Sequence, residues 1–181
     1  MFKLFVIFFF SLFILNANAN NKEKIITNLK NVSNLSFKFE QNINGEIERG
    51  NCIIKYPKKM HCSYEKNNKV LVSNGKSLVI KTLSSYYRYP IEKTPLNLIL
   101  DKNFLINKIY NLDEEIIDQS FINYTITEDE NEIDVFFDIK TFNLVGWQTK
   151  DIYQNTAITL LDSILVNQEI KKKLFNLPKQ N

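Results

Sequence analysis

Apolar and polar residues alternate with a period of two along much of this chain. The run Leu35-Ser36-Phe37-Lys38-Phe39-Glu40-Gln41-Asn42-Ile43 places Phe37 and Phe39 on one side and Lys38 and Glu40 on the other. Such alternation predicts a strand with one buried face and one wet face. Asn44-Gly45 then turns the chain. Ile47 to Tyr56 and Met60 to Tyr64 form the next predicted hairpin, around Pro57. Val70 to Ser73 and Ser77 to Lys81 flank Asn74-Gly75, a strong two-residue hairpin signal. Tyr86 to Tyr89 follows. Phe121 to Thr127 and Ile133 to Phe137 flank the acidic turn Glu128 to Asn131, and Leu144 to Asp151 and Thr156 to Val166 complete the series. Consecutive hairpins predict antiparallel pairing.

Three segments carry helical patterns instead. Lys22 to Val32 places Ile25, Ile26, Leu29 and Val32 on one side, the spacing of an amphipathic helix. Thr94-Pro95 reads as a cap followed by proline at the first helical position. It opens a helix at Leu96 to Leu100, with the apolar pattern continuing through Phe104 and Leu105. Glu169 to Phe175 reads as a short final turn. The expected fold is mainly β within an α+β class: one curved antiparallel sheet with amphipathic helices across its apolar side.

The N-terminus changes where this domain is expected to work. Lys3 precedes an apolar run from Leu4 to Leu15, and Ala17-Asn18-Ala19 is a small-x-small cleavage pattern. These features predict a signal peptide over residues 1–19 and a mature domain over residues 20–181. The apolar run is about a dozen residues long, whereas a membrane span needs about 20. The mature chain would begin at Asn20 rather than at a cysteine able to carry lipid. A soluble periplasmic protein is therefore expected.

Composition narrows the class of partner. Lysine and arginine number 23 against 20 aspartate and glutamate, a net charge of +3 with the two signs interspersed. Nucleic-acid binding needs a clustered basic face, and Lys171-Lys172-Lys173 is the only basic run. No nucleic-acid partner is expected. Enzymatic chemistry finds little support either. His61 is the only histidine, and alternation puts it with Lys59, Ser63 and Glu65 on the polar face, where a solvated role is expected. One histidine and two cysteines do not make a zinc site. The chain has no Gly-rich phosphate loop, HExxH or Gly-x-Ser-x-Gly. The acids Asp113-Glu114-Glu115 read as solvated turn charges. No catalytic residue, metal or cofactor is assigned.

The hairpin around Pro57 is more informative. Cys52 and Cys62 each lie five residues from that proline. In a symmetric turn they sit opposite each other, and opposed Cβ atoms at about 4.5–5.5 Å come near disulfide spacing. An oxidising compartment favours the bond; two buried thiols are the alternative. The inward residues would be Cys52, Ile54, Tyr56, Met60, Cys62 and Tyr64, joined by Phe37 and Phe39. This aromatic face is either an ordinary core closed by helices or a cavity that takes an apolar ligand.

An ordered set of residues resembles a known family. Phe39-Glu40-Gln41, Gly45, Gly50, Ile54-Lys55-Tyr56-Pro57 and Tyr64 resemble the start of the periplasmic lipoprotein carriers of the LolA family. Val72 to Leu78, Tyr89-Pro90, Thr94-Pro95-Leu96, Leu144-Val145-Gly146-Trp147, Asp151, Thr156, Asn167 and Leu174-Phe175 keep the family order. The resemblance implies an open antiparallel half-barrel covered by amphipathic lid helices. It implies a monomeric carrier that takes triacylated lipoproteins from an inner-membrane ABC-type exporter to an outer-membrane acceptor, without a cofactor. The acyl-chain cavity and lid would then draw on Leu29, Phe37, Phe39, Ile54, Tyr56, Met60, Tyr64, Leu96, Ile99 and Leu100.

One departure stands out. Family members hold the lid through an arginine before the strand-end proline, and Tyr56 occupies that position here. A phenol donates one hydrogen bond where a guanidinium donates five, so that latch is not carried over. The competing reading is a periplasmic half-barrel module that binds another lipid or serves as an envelope sensor.

Overall fold

The computed structural model describes residues 20–128, 131–150 and 155–180. The expected leader, residues 1–19, lies outside the described residues, as do Asp129 and Glu130 of the acidic turn and Asp151. Helix α1 (Asn21–Asn31) starts where Asn20 accepts the Glu23 N–H at 2.8 Å, satisfying one of the unpaired donors of the first turn. Six strands follow: β1 (Asn34–Ile43), β2 (Glu46–Lys55), β3 (Lys59–Tyr64), β4 (Val70–Asn74), β5 (Ser77–Lys81) and β6 (Tyr86–Pro90). A helical connection holds α2 (Leu96–Ile99) and α3 (Lys102–Asn111). The chain ends in β7 (Glu115–Ile117), β8 (Phe121–Glu128), β9 (Asn131–Asp138), β10 (Leu144–Lys150) and β11 (Thr156–Val166).

These eleven strands form one antiparallel sheet in the order β6-β5-β4-β3-β2-β1-β11-β10-β9-β8-β7. The first and last strands pair at its centre, Phe39 opposite Leu161 and Gln41 opposite Thr159. β6 and β7 lie at opposite ends of the order, so the sheet is not closed into a barrel. That topology dictates the lid. The connection from β6 to β7 must travel from one edge of the sheet to the other, and α2 and α3 lie on that path. Curvature comes from register shifts between Ser36 and Lys38 on β1 and between Leu144 and Gly146 on β10. Gly146 sits where a Cβ would meet the Thr159 carbonyl oxygen at 2.7 Å, which lets β10 lie close against β11.

The continuous helix expected from Leu96 through Leu105 is instead two helices. Asp101 leaves helical geometry and its side chain accepts the Phe104 N–H, capping α3. Thr94 does not cap α2 with its side chain, because its hydroxyl donates to the Ile91 carbonyl. Glu115 belongs to an edge strand rather than a turn. Glu169 to Phe175 forms only isolated turns, with Leu174 N–H donating to the Lys171 carbonyl.

The core lies between the sheet and the helices. Ile25 and Leu29 of α1, Ile99 and Leu100, and Leu105 and Ile109 of α3 are buried in it. The outer face is partly covered as well. Val72 and Val79 pair on that face and are 2% and 0% exposed. The segment after β11 is tied at both ends to that side of the sheet. Gln168 exchanges two hydrogen bonds with Asn34 of β1, and Lys81 of β5 donates to the Lys179 carbonyl. Residues between these anchors therefore cross the outer face over β2 to β4.

Candidate functional site

The two halves of the hollow are filled differently. Under α1 and α3, the inward side chains of β8 and β9 are packed solid: Ile122, Tyr124, Ile126, Ile133, Val135 and Phe137 are each at most 1% exposed. On the other side a cavity of about 40 Å³ remains beneath α2. Its walls are Phe39, Cys52, Met60, Cys62, Tyr64, Leu71, Leu96 and Trp147, with Gln41 and Thr159 at one end. Of the predicted cavity residues, Phe39, Met60, Tyr64 and Leu96 line this space, as do both cysteines. Leu29, Phe37, Ile54, Tyr56, Ile99 and Leu100 are buried in the surrounding core without lining it. Leu71, Trp147, Gln41 and Thr159 complete the lining and were not among the residues expected there. Leu71 and Trp147 carried an apolar signal, but nothing local marked them as neighbours of β1 and β3.

Local chemistry explains the walls. Cys52 and Cys62 face each other across β2 and β3 and are joined by a disulfide. The Phe39 and Tyr64 rings meet edge to face at 5.0 Å, a favourable arrangement of ring quadrupoles. They meet over Gly50, where a Cβ would lie 2.8 Å from the Phe39 ring and 2.1 Å from the Ser63 carbonyl oxygen. Any side chain at position 50 would push this aromatic wall off the strand.

The lid is held at its C-terminal end by a small polar cluster. Lys58 N–H donates to the Leu100 carbonyl at 2.8 Å. The Lys58 ammonium lies 3.7 Å from the Asp101 carboxylate, the same group that caps α3. Lys102 Nζ donates to the carbonyls of Lys30 and Val32, at 3.1 and 2.8 Å, and stands 5.9 Å from the Tyr56 ring. The last carbonyls of a helix lack partners within it, so a lysine placed there ties α3 to the end of α1. Among the described residues the Tyr56 hydroxyl, which is buried, has no hydrogen-bond partner. Burial alone raises the pKa of this phenol well above its ordinary value.

His61 departs from the solvated role expected for it. It points outward, opposite Ile53 and Val72, yet it is half-buried. The covering of the outer face supplies the reason, and burial lowers the imidazole pKa. Glu114 is likewise more than a solvated turn charge, because it accepts from the Tyr124 hydroxyl at 3.2 Å and from Asn21 at 2.9 Å. Among the described residues, no group of three or more His, Cys, Asp or Glu side chains is arranged to hold a metal ion. No helix among them is long and apolar enough to cross a membrane.

An open antiparallel sheet, an apolar hollow and a thin helical cover define a binding module for apolar ligands. The family described as "Outer membrane lipoprotein carrier protein LolA" matches residues 30–178, and the chain belongs to that family. This is a carrier and binding fold, not one known for enzymatic activity. No curated protein matches the chain by sequence. Among solved structures, an uncharacterized conserved protein from Thermus thermophilus aligns with a TM-score of 0.52 at 7% identity, over 88% of this chain and 96% of that one. This likeness shows the fold. A LolA superfamily protein from Nitrosomonas europaea gives 0.45 at 8% identity, over 88% and 99%. The MucA/MucB complex of Pseudomonas aeruginosa gives 0.48 at 9% identity, over 88% and 62%.

Proposed function

We propose that this protein is a periplasmic carrier that shields the acyl chains of triacylated lipoproteins. It would receive them from an inner-membrane ABC-type exporter and deliver them to an outer-membrane acceptor, acting as a monomer without nucleotide. The observation that carries this reading is the unequal filling of the hollow: a 40 Å³ cavity, ringed by aromatic and sulfur-bearing side chains, under a one-turn helix. Ligand pockets run to about 300–1,000 Å³, so the closed form has no room for an acyl chain. Loading therefore requires α2 to move, and the short helix with few tethers suits that motion. Exposing one 16-carbon chain to water costs on the order of 12 kcal/mol, at about 0.8 kcal/mol per CH₂. A carrier crossing an aqueous gap must cover such a chain, and closure of the cavity after delivery favours release.

The test is release of a triacylated lipoprotein from inner-membrane vesicles into the soluble fraction. Phe39→Glu should block loading, because an unpaired charge in an apolar cavity is costly. Leu96→Asn and Ile99→Asn should weaken lid docking and cargo retention. Lys38→Ala, exposed on the outer face, serves as the control. Folded Phe39→Glu protein that releases cargo as well as the parent would refute the reading. Capture of a different lipid, with no lipoprotein transfer, would favour the half-barrel module for another ligand.

A further inference from the structure

The inner face of the sheet changes character along β1. Phe37 and Phe39 are 4% and 5% exposed and apolar, and the next inward residue is Gln41. Its amide Nε2 donates to Thr159 Oγ1 across the β1–β11 pair at 2.9 Å. Thr159 is 4% exposed. On the other flank Gln41 stands opposite Glu48, which pairs with Lys69 at 2.6 Å with both side chains 22% exposed. Lys69 is fixed twice more: its carbonyl accepts the Tyr64 N–H, and its ammonium lies 4.2 Å from the Tyr64 ring centre. Gln41 and Thr159 thus close one end of the apolar cavity, and the Glu48–Lys69 pair stands next to them, opposite Gln41 on β2 and against the Tyr64 ring of the wall.

Strand pairing alone does not call for this chemistry. An apolar pair at 41 and 159 would hold the register as well and would extend the apolar wall. Gln41 and Thr159 carry the amide and the aliphatic hydroxyl of the cavity lining, whose other side chains are aromatic, aliphatic or sulfur-bearing. Among the described residues, the second amide hydrogen of Gln41 and the Thr159 hydroxyl proton have no protein acceptor. They are donors left available at the edge of an apolar space.

Resting on the carrier reading, we propose that Gln41, Thr159 and Lys69 form a polar collar that binds the carbonyl-bearing head of the cargo. The ester and amide carbonyls that join acyl chains to an acylated cysteine are acceptors only. Buried without donors, they would cost the complex the hydrogen bonds they make in water. The collar supplies those donors where the chains leave the apolar wall, so it orients the cargo with its peptide toward solvent.

Two probes separate the collar from the cavity. One is a synthetic triacylated lipopeptide; the other is diphenylhexatriene, an apolar fluorophore without carbonyls. Gln41→Leu, Thr159→Val and Lys69→Met should each weaken lipopeptide binding about fivefold to tenfold, the loss of one or two hydrogen bonds. Binding of diphenylhexatriene should stay level or tighten. Both probes need the same fold, so the ratio of the two affinities reads the head contact even in a destabilised variant. An unchanged ratio in all three variants overturns the collar and leaves the carrier reading intact. Failure of the unaltered protein to bind lipopeptide overturns both.

Discussion

The sheet carries two kinds of interior on one continuous inner face. Beneath α1 and α3, β8 and β9 contribute six side chains that are almost wholly buried. Beneath α2, β1 to β4 contribute the cavity, the disulfide and the Phe39–Tyr64 wall. The first region is closed by two helices of 11 and 10 residues, the second by a helix of 4. Dense packing and free volume are thus divided between neighbouring parts of one fold. A well-packed region can anchor the molecule while its neighbour opens, because opening under α2 need not disturb the buried side chains under α3.

The largest expected effect tests the packed side. Phe137→Ala should cost about 3–5 kcal/mol by leaving a hole in a filled core, read as a fall in the urea midpoint. Leu96→Ala, in the half-buried lid, should cost much less in the same measurement. Equal losses would erase the distinction between the two regions. On the cavity side, protein isolated without reductant should titrate no free thiol. Reduction of Cys52–Cys62 should lower stability by about 2–3 kcal/mol, since the bond closes a short loop. Two alkylatable thiols in the folded oxidised protein would contradict the pairing.

A smaller effect is expected at the lid tether. Lys102→Met removes two charge-assisted bonds to the end of α1 and should loosen α3 by about 1 kcal/mol. Hydrogen exchange should rise at residues 96–111 while β8 and β9 stay protected. The smallest effect concerns pH. Burial lowers the His61 pKa, so the folded state favours the neutral ring. The stability this represents is present above the ordinary imidazole value of about 6.5. It is lost as pH falls through that value toward the folded pKa. His61→Gln should flatten the stability profile between roughly pH 7 and 5, and an unchanged profile would place the residue in solvent after all.

Much of this fold is legible in local pattern because one face of nearly every strand is buried. Alternation at Leu35 to Ile43 identified β1, and the symmetry around Pro57 placed Cys52 opposite Cys62. The losses came where a non-local partner decides. β7 has three residues, two of them apolar, too few for a period to show. The break at Asp101 was hidden because Phe104 and Leu105 continue the apolar spacing across it. His61 looked solvated because its cover arrives from the far end of the chain. Gln41 and Thr159 meet across 118 positions, and neither carries a local sign of the other. Lys102 is one of many lysines, and only the fold brings it to the end of α1.

An unclosed sheet has two free margins, and each can recruit a foreign strand. Here the margins are β6 and β7. β7 is three residues long and begins with Glu115, while β6 carries the exposed Arg88 and ends in Pro90. A brief strand, a charge and a residue without an N–H each discourage edge-to-edge growth. The sheet can therefore stay unclosed without inviting copies of the molecule to stack into fibres. Openness becomes tolerable at high concentration because both margins are poor templates.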